Sequence, residues 1–331
     1  MSKLSSLIVA LALAVPVAAP AQAPAPTAST ASTPAACPPV AQAPTQDQLQ
    51  TALRNARNRG ALWKATRDGR SAYLFGTIHV GNLDWAIPGP GVSAALRASD
   101  TLALELDVTD PQLMARMMAP AAAGSTPPAP LPAAVAQRLA LRLDAACLPA
   151  QARPLFDAMH PVMRAVSLSV LEARWAGLDA GYAQEASLAG FGRTTQMRIV
   201  SLETPELQKA ALLPASDAES VTMVAQMLEQ LESGATRRSI VRLAAAWERG
   251  DLDELANYER WCECVVGDDD RRLMKRLLDD RNGGLADGID ALHREGRRVF
   301  AGVGVLHMVG PKGLPALLAA RGFQVERVAL Q

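Results

Sequence analysis

Two short apolar runs near opposite ends of the chain finish in the same pattern. YLFGTIHVGN (73–82) carries Gly76 and His79, and FAGVGVLHMVG (300–310) carries Gly304 and His307, each a Gly-x-x-His. The chain has 4 histidines. At about 7% glycine, only about 0.3 of them should have glycine three positions earlier by chance. Two do, and each is soon followed by another glycine, Gly81 or Gly310. A strand exit repeated at both ends argues for one sheet that draws strands from both ends. In open α/β sheets, ligands bind in the crevice beyond the carboxyl ends of the strands. A glycine there lets the backbone turn or approach a neighbour closely. A histidine three residues on is then presented to that crevice, as a metal ligand or an acid–base group. The competing reading is a pair of buried histidines bonded to backbone carbonyls.

The surrounding pattern agrees. Residues 48–59 have helical spacing. Residues 61–66 and 71–75 read as strands joined by Asp68 and Gly69, a hairpin signal. A short helix (92–98) and a strand (101–106) follow. The end of the chain repeats the alternation, with helix 283–295, strand 297–303, helix 311–320 and strand 323–330. The middle is helical (133–146, 159–175, 217–249, 251–265 and 268–281), with one short strand at 198–202. The expected fold is α/β: a mixed central sheet built from N- and C-terminal α/β halves, with a helical insertion at about 108–280.

Residues 4–19 form an uncharged apolar run behind Lys3, and small residues follow. This is the layout of a secretory signal peptide, with cleavage expected after Ala21; a retained anchor is the competing reading. Residues 22–46 are rich in Ala and Pro and read as a flexible leader. The folded unit is then 47–331, placed in the periplasm or secreted. Formal net charge is +0, which gives a nucleic-acid partner no electrostatic support. No second stretch is apolar for long enough to span a membrane. Cys37, Cys147, Cys262 and Cys264 predict disulfides, with all three full pairings open. The C-x-C pair lacks a second Cys/His pair for a zinc site.

Further polar residues punctuate the pattern. Glu105 lies within strand 101–106, where an unpaired carboxylate would be costly. Arg281 and Asn282 read as a helix end before Gly283 and Gly284. Glu203 and Gln208 flank a helix start at Thr204 and Pro205, and Glu185 faces either cleft or solvent. His160 and His293 read as structural. No nucleophile elbow, P-loop or dinucleotide fingerprint is present.

The segments LWKATRDGRSAYLFGTIHVG, LRASDTLALELD, IVSLETPELQ, DDRNGGLADGI and FAGVGVLHMVGPKGLPALLAARGF resemble the TraB/GumN family, which includes the TIKI metalloproteases. The stretch at about 108–180 matches loosely. The resemblance implies an exported, divalent-metal-dependent hydrolase of peptidase type. Manganese or cobalt is the implied metal, and zinc is compatible. His79, His307 and Glu105 would hold it. Glu105 would complete the coordination or act as base. Arg281 and Asn282 would stabilise charge on the substrate, Gly76 and Gly304 are the motif glycines, and Glu203 and Glu185 are weaker cleft candidates. The implied partner is a peptide or small molecule, with no stable membrane span after signal removal and no oligomeric state assigned. The alternatives are an envelope protein that binds metal, haem or another ligand without turnover, or an interaction protein linked to polysaccharide export.

Overall fold

The structure is a computed structural model that describes residues 37–118 and 128–330. The expected signal peptide and the leader up to residue 36 lie outside the described residues. Six strands form one mixed sheet: β1 (Ala61–Arg67), β2 (Arg70–Thr77), β3 (Thr101–Leu104), β4 (Arg198–Ser201), β5 (Val299–Gly304) and β6 (Gln324–Val328), in the order β4-β3-β5-β2-β1-β6. The pairs β2/β5, β5/β3 and β3/β4 are parallel, and β1 runs antiparallel to both its neighbours. The two motif strands therefore lie side by side, Gly76 opposite Val303 and Thr77 opposite Gly304.

Local chemistry explains these elements. Asp68 (φ 51°) and Gly69 (φ 71°) form the left-handed two-residue turn that matches strand twist and closes the β1–β2 hairpin. β5 and β3 read VFAGVG and TLAL, apolar without alternation, as strands covered on both faces must be. Leu62, Phe75, Leu102 and Phe300 face one layer, which includes helices Pro90–Arg97, Gln184–Thr194 and Ala235–Arg249. Trp63, Leu74, Ala103, Ala301 and Val303 face the other, against helices Asp279–Arg294 and Leu314–Ala320. The period of two separates the two sets. Phe300 is fully buried, and its truncation to alanine should cost about 3–5 kcal/mol. The insertion carries a separate core of Leu139, Phe156, Val162, Leu168, Val224 and Leu228, and it also supplies β4 to the main sheet.

Several boundaries differ from the sequence pattern. Residues 217–249 are two helices, Asp217–Glu232 and Ala235–Arg249, split where Gly234 takes φ 75°. Residues 251–265 hold two short helices, Leu252–Ala256 and Tyr258–Trp261. The break expected at Gly283 falls instead at Leu278, so Arg281 and Asn282 open helix Asp279–Arg294 instead of capping a preceding one. Gly283 and Gly284 sit inside it. Glu105 lies just past the end of β3, not within it. The cysteines pair as Cys37–Cys147 and Cys262–Cys264. The first bond ties residue 37 to the insertion. The chain after it packs on residues 179–182, where Ala41 N–H donates to Asp179 (3.3 Å) and Tyr182 Oη donates to the Gln42 carbonyl (2.8 Å).

Candidate functional site

All four mutually parallel strands β2–β5 end at the same edge of the sheet, and each exit delivers one polar side chain there. His79 follows β2, Glu105 follows β3, Glu203 follows β4 and His307 follows β5. Helix Asp279–Arg294 brings Arg281 and Asn282 from one layer, and helix Gln184–Thr194 brings Glu185 from the other. Every site residue expected from sequence therefore lies at this edge. The residues line or border a cleft of ≈ 620 Å³.

The two imidazoles are held in the same manner. His79 Nδ1 lies 2.9 Å from Glu185 Oε1, which also accepts from Thr77 Oγ1 at 2.5 Å. His307 Nδ1 lies 2.6 Å from Asn282 Oδ1. Asn282 Nδ2 donates to the Lys312 carbonyl at 2.9 Å, which fixes the amide so that its oxygen faces the ring. Each Nδ1 thus faces an acceptor, and both rings border Gly304. A Cβ built on Gly304 would lie 3.1 Å from Glu105 Oε1, 3.5 Å from His307 Cδ2 and 3.9 Å from His79 Nε2. The missing side chain of Gly304 is the space on which the three groups converge. Gly76 serves the backbone instead. A Cβ there would come within 2.7 Å of Val305 Cγ2, so glycine lets the β5 exit pass close to β2. Trp247 Nε1 donates to the Gly76 carbonyl at 2.8 Å. The loop beyond His79 is clamped to the insertion by the bridge between Gly81 and Asp179.

Glu105 is held from both sides. Its Oε1 accepts from the Gly304 N–H at 2.6 Å and its Oε2 from Arg281 Nη2 at 2.7 Å. Arg281 also donates through Nε to Glu203 Oε1 at 2.9 Å and through Nη2 to Glu203 Oε2. Burial alone would raise the Glu105 carboxyl. The positive charge of His307, His79 and Arg281, with the Gly304 N–H, outweighs it and holds the pKa at about 2. The charge of Glu185 is the largest influence on His79 and raises it to about 9, although the ring remains 67% exposed. Burial lowers His307, whose side chain is 4% exposed. Three carboxylates (Glu105, Glu185, Glu203) against one guanidinium (Arg281) leave two negative charges when both rings are neutral.

This donor set suits a divalent cation. Two imidazole rings and a carboxylate oxygen border one space, each ring is oriented from behind by an acceptor, and the excess charge is −2 when both rings are neutral. Among the described residues no three His, Cys, Asp or Glu side chains already stand in coordination geometry; His307 Nε2 and Glu105 Oε1 are 3.9 Å apart. The role expected of Asn282 needs correction. It is 2% exposed and both polar ends of its side chain are bonded within the protein, so it faces His307 and not a substrate. Arg281, 13% exposed, is engaged by two carboxylates. His160 caps a helix, accepting from the Val162 N–H, and His293 is buried between Arg67 and Phe323. Sequence reasoning missed Thr77, although it lies inside the motif. It also missed Gln184, whose Oε1 accepts from the Ile78 N–H at 2.8 Å, and Trp247, for which a helical tryptophan gave no signal.

The family model described as TraB/PrgY/gumN family matches residues 61–327, which span both strand exits and every residue of the site. No curated protein and no solved structure matches the chain.

Proposed function

The chain belongs to the TraB/PrgY/gumN family, and from that premise we propose that it is an exported, divalent-metal-dependent hydrolase that acts on peptide-like substrates. One observation carries the reading: two histidines from adjacent strand exits bring their rings to the same side-chain-free space at Gly304, beside an ionised carboxylate. His79, His307 and Glu105 would hold the ion, and manganese or cobalt is the choice the family resemblance favours. A bound ion would supply Lewis acidity toward a carbonyl oxygen.

The protein's own groups have separable tasks. Asn282 holds the proton of His307 on Nδ1, and Glu185 does the same for His79. Arg281 keeps Glu105 and Glu203 ionised side by side. A carboxyl held at about 2 is a weak base at neutral pH. Glu105 therefore serves as a charged ligand in preference to a general base. Arg281 and Asn282 act as positioning residues. Two disulfides accord with an oxidising compartment and hence with export.

The test is metal analysis of the purified mature protein, followed by manganese- and cobalt-dependent cleavage of a peptide library. Stoichiometric metal is expected in the wild type and none in His79→Ala or His307→Ala, with unchanged circular dichroism. Full metal content in either variant would end the assignment.

A further inference from the structure

Above the polar floor, the cleft has walls of a different chemistry. Val166 and Val170 come from helix Pro161–Leu171, Leu212 from helix Pro205–Leu212, Leu243 from helix Ala235–Arg249, and Met274 and Leu277 from helix Asp268–Leu277. These side chains are only partly buried, so part of each remains exposed at the cleft. Tyr258 adds an aromatic surface. Its hydroxyl lies 3.2 Å from the sulfurs of both Cys262 and Cys264, and its ring meets Trp261 edge-on at 4.9 Å. The C-x-C disulfide thus braces this part of the wall.

The charged side chains of the cleft floor are already engaged by other protein groups. Among the described residues Arg281 is the only lysine or arginine lining it, and it is bonded to Glu105 and Glu203. Among the described residues, a peptide's terminal carboxylate would find no free guanidinium or ammonium group in the cleft. A terminal ammonium would find no open carboxylate either. Both Glu105 oxygens are bonded. Glu203 is covered by Arg281 and Gln208. Glu185 Oε1 is bonded twice, and its Oε2 is enclosed away from solvent.

We infer that the cleft takes an uncharged internal stretch of peptide with an aliphatic or aromatic side chain against these walls, and discriminates against chain ends and acidic residues. This rests on the hydrolase reading for what happens to the peptide, but not for its binding. The apolar walls supply the attraction, which follows the apolar area removed from water, and the filled carboxylates supply the discrimination.

The experiment uses two end-capped, fluorescently labelled peptides that differ at one central position, Leu in one and Asp in the other. Binding is measured by polarisation on the wild type and on the His79→Ala/His307→Ala chain, with and without manganese. The Leu peptide should bind about tenfold or more tightly on both proteins. Val170→Asp and Leu243→Asp, made separately and checked for unchanged thermal melting, should each remove most of the preference. Equal binding of the two peptides to the wild type, or a preference untouched by either wall variant, overturns the inference. The two readings separate cleanly. A Leu preference in the histidine variant, with no cleavage by any metal-loaded wild type, removes the hydrolase and leaves the inference standing. Manganese-dependent cleavage that treats Leu and Asp peptides alike does the reverse.

Discussion

Gly304→Ala separates the site from the fold. The backbone at Gly304 has φ −46° and ψ 134°, a region open to any L-residue, so alanine brings no torsional strain. The added methyl would meet Glu105 Oε1 at 3.1 Å, and the next neighbours at 3.5 and 3.9 Å are both histidine ring atoms. One close contact on a side chain that can shift a few tenths of an ångström should cost about 1 kcal/mol, at the low end of overpacking. Loss of a glycine from the unfolded chain returns about 0.4–1 kcal/mol. Net stability should therefore change by less than about 1 kcal/mol, a melting shift of no more than about 4 °C. Metal affinity should fall much further, because the methyl occupies the space on which the three donors converge. A loss of about 100-fold is expected, the upper range found when ligand orientation is disturbed. Thermal melting and manganese titration by calorimetry on the same preparation give both numbers. Wild-type affinity in Gly304→Ala would refute the placement of His79, Glu105 and His307 around one ion, whatever the activity.

Three further outcomes follow from the same geometry. Asn282→Ala removes the acceptor for His307 Nδ1 at 2.6 Å and should weaken metal binding by about 10–100-fold, whereas Asn282→Asp, which keeps an acceptor, should retain most of it. His79 is raised to about 9, so in the metal-free protein its contribution to stability is fully present below the ordinary pH of about 6.5 and disappears as pH rises through about 9. Metal binding near pH 7.5 should accordingly release a proton, read as a binding enthalpy that varies with the ionisation enthalpy of the buffer; the same enthalpy in every buffer would refute it. Trp247→Phe removes the 2.8 Å hydrogen bond to the Gly76 carbonyl and should cost about 1–3 kcal/mol in urea unfolding because a buried acceptor is left unpaired.

The two strand exits were legible because their signal is local. An apolar run, a glycine and a histidine at fixed spacing describe one strand end wherever it packs. Glu105 was legible for a related reason, since a carboxylate beside TLAL is too costly to leave unexplained. The helical boundaries around residues 217–294 were less legible. Gly234 splits one apparent helix, while Gly283 and Gly284 are absorbed into another. A glycine's effect depends on what surrounds it, and packing overrides propensity. The disulfide pairing was equally closed to sequence, because Cys37 and Cys147 meet only after the insertion folds.

The sequence by itself determined that strands from both ends share a sheet and that each motif strand presents a histidine at its exit. Hydrophobic period and backbone chemistry are properties of neighbouring residues, and they decide this much. Tertiary structure alone decided that β2 and β5 lie side by side, that Glu185 and Asn282 hold the two rings from behind, and that Arg281 and Asn282 are bonded to other groups of the site. Those roles depend on the meeting of groups from the Thr77 hydroxyl to the Lys312 carbonyl, and no local pattern encodes a distance between segments so far apart in the chain.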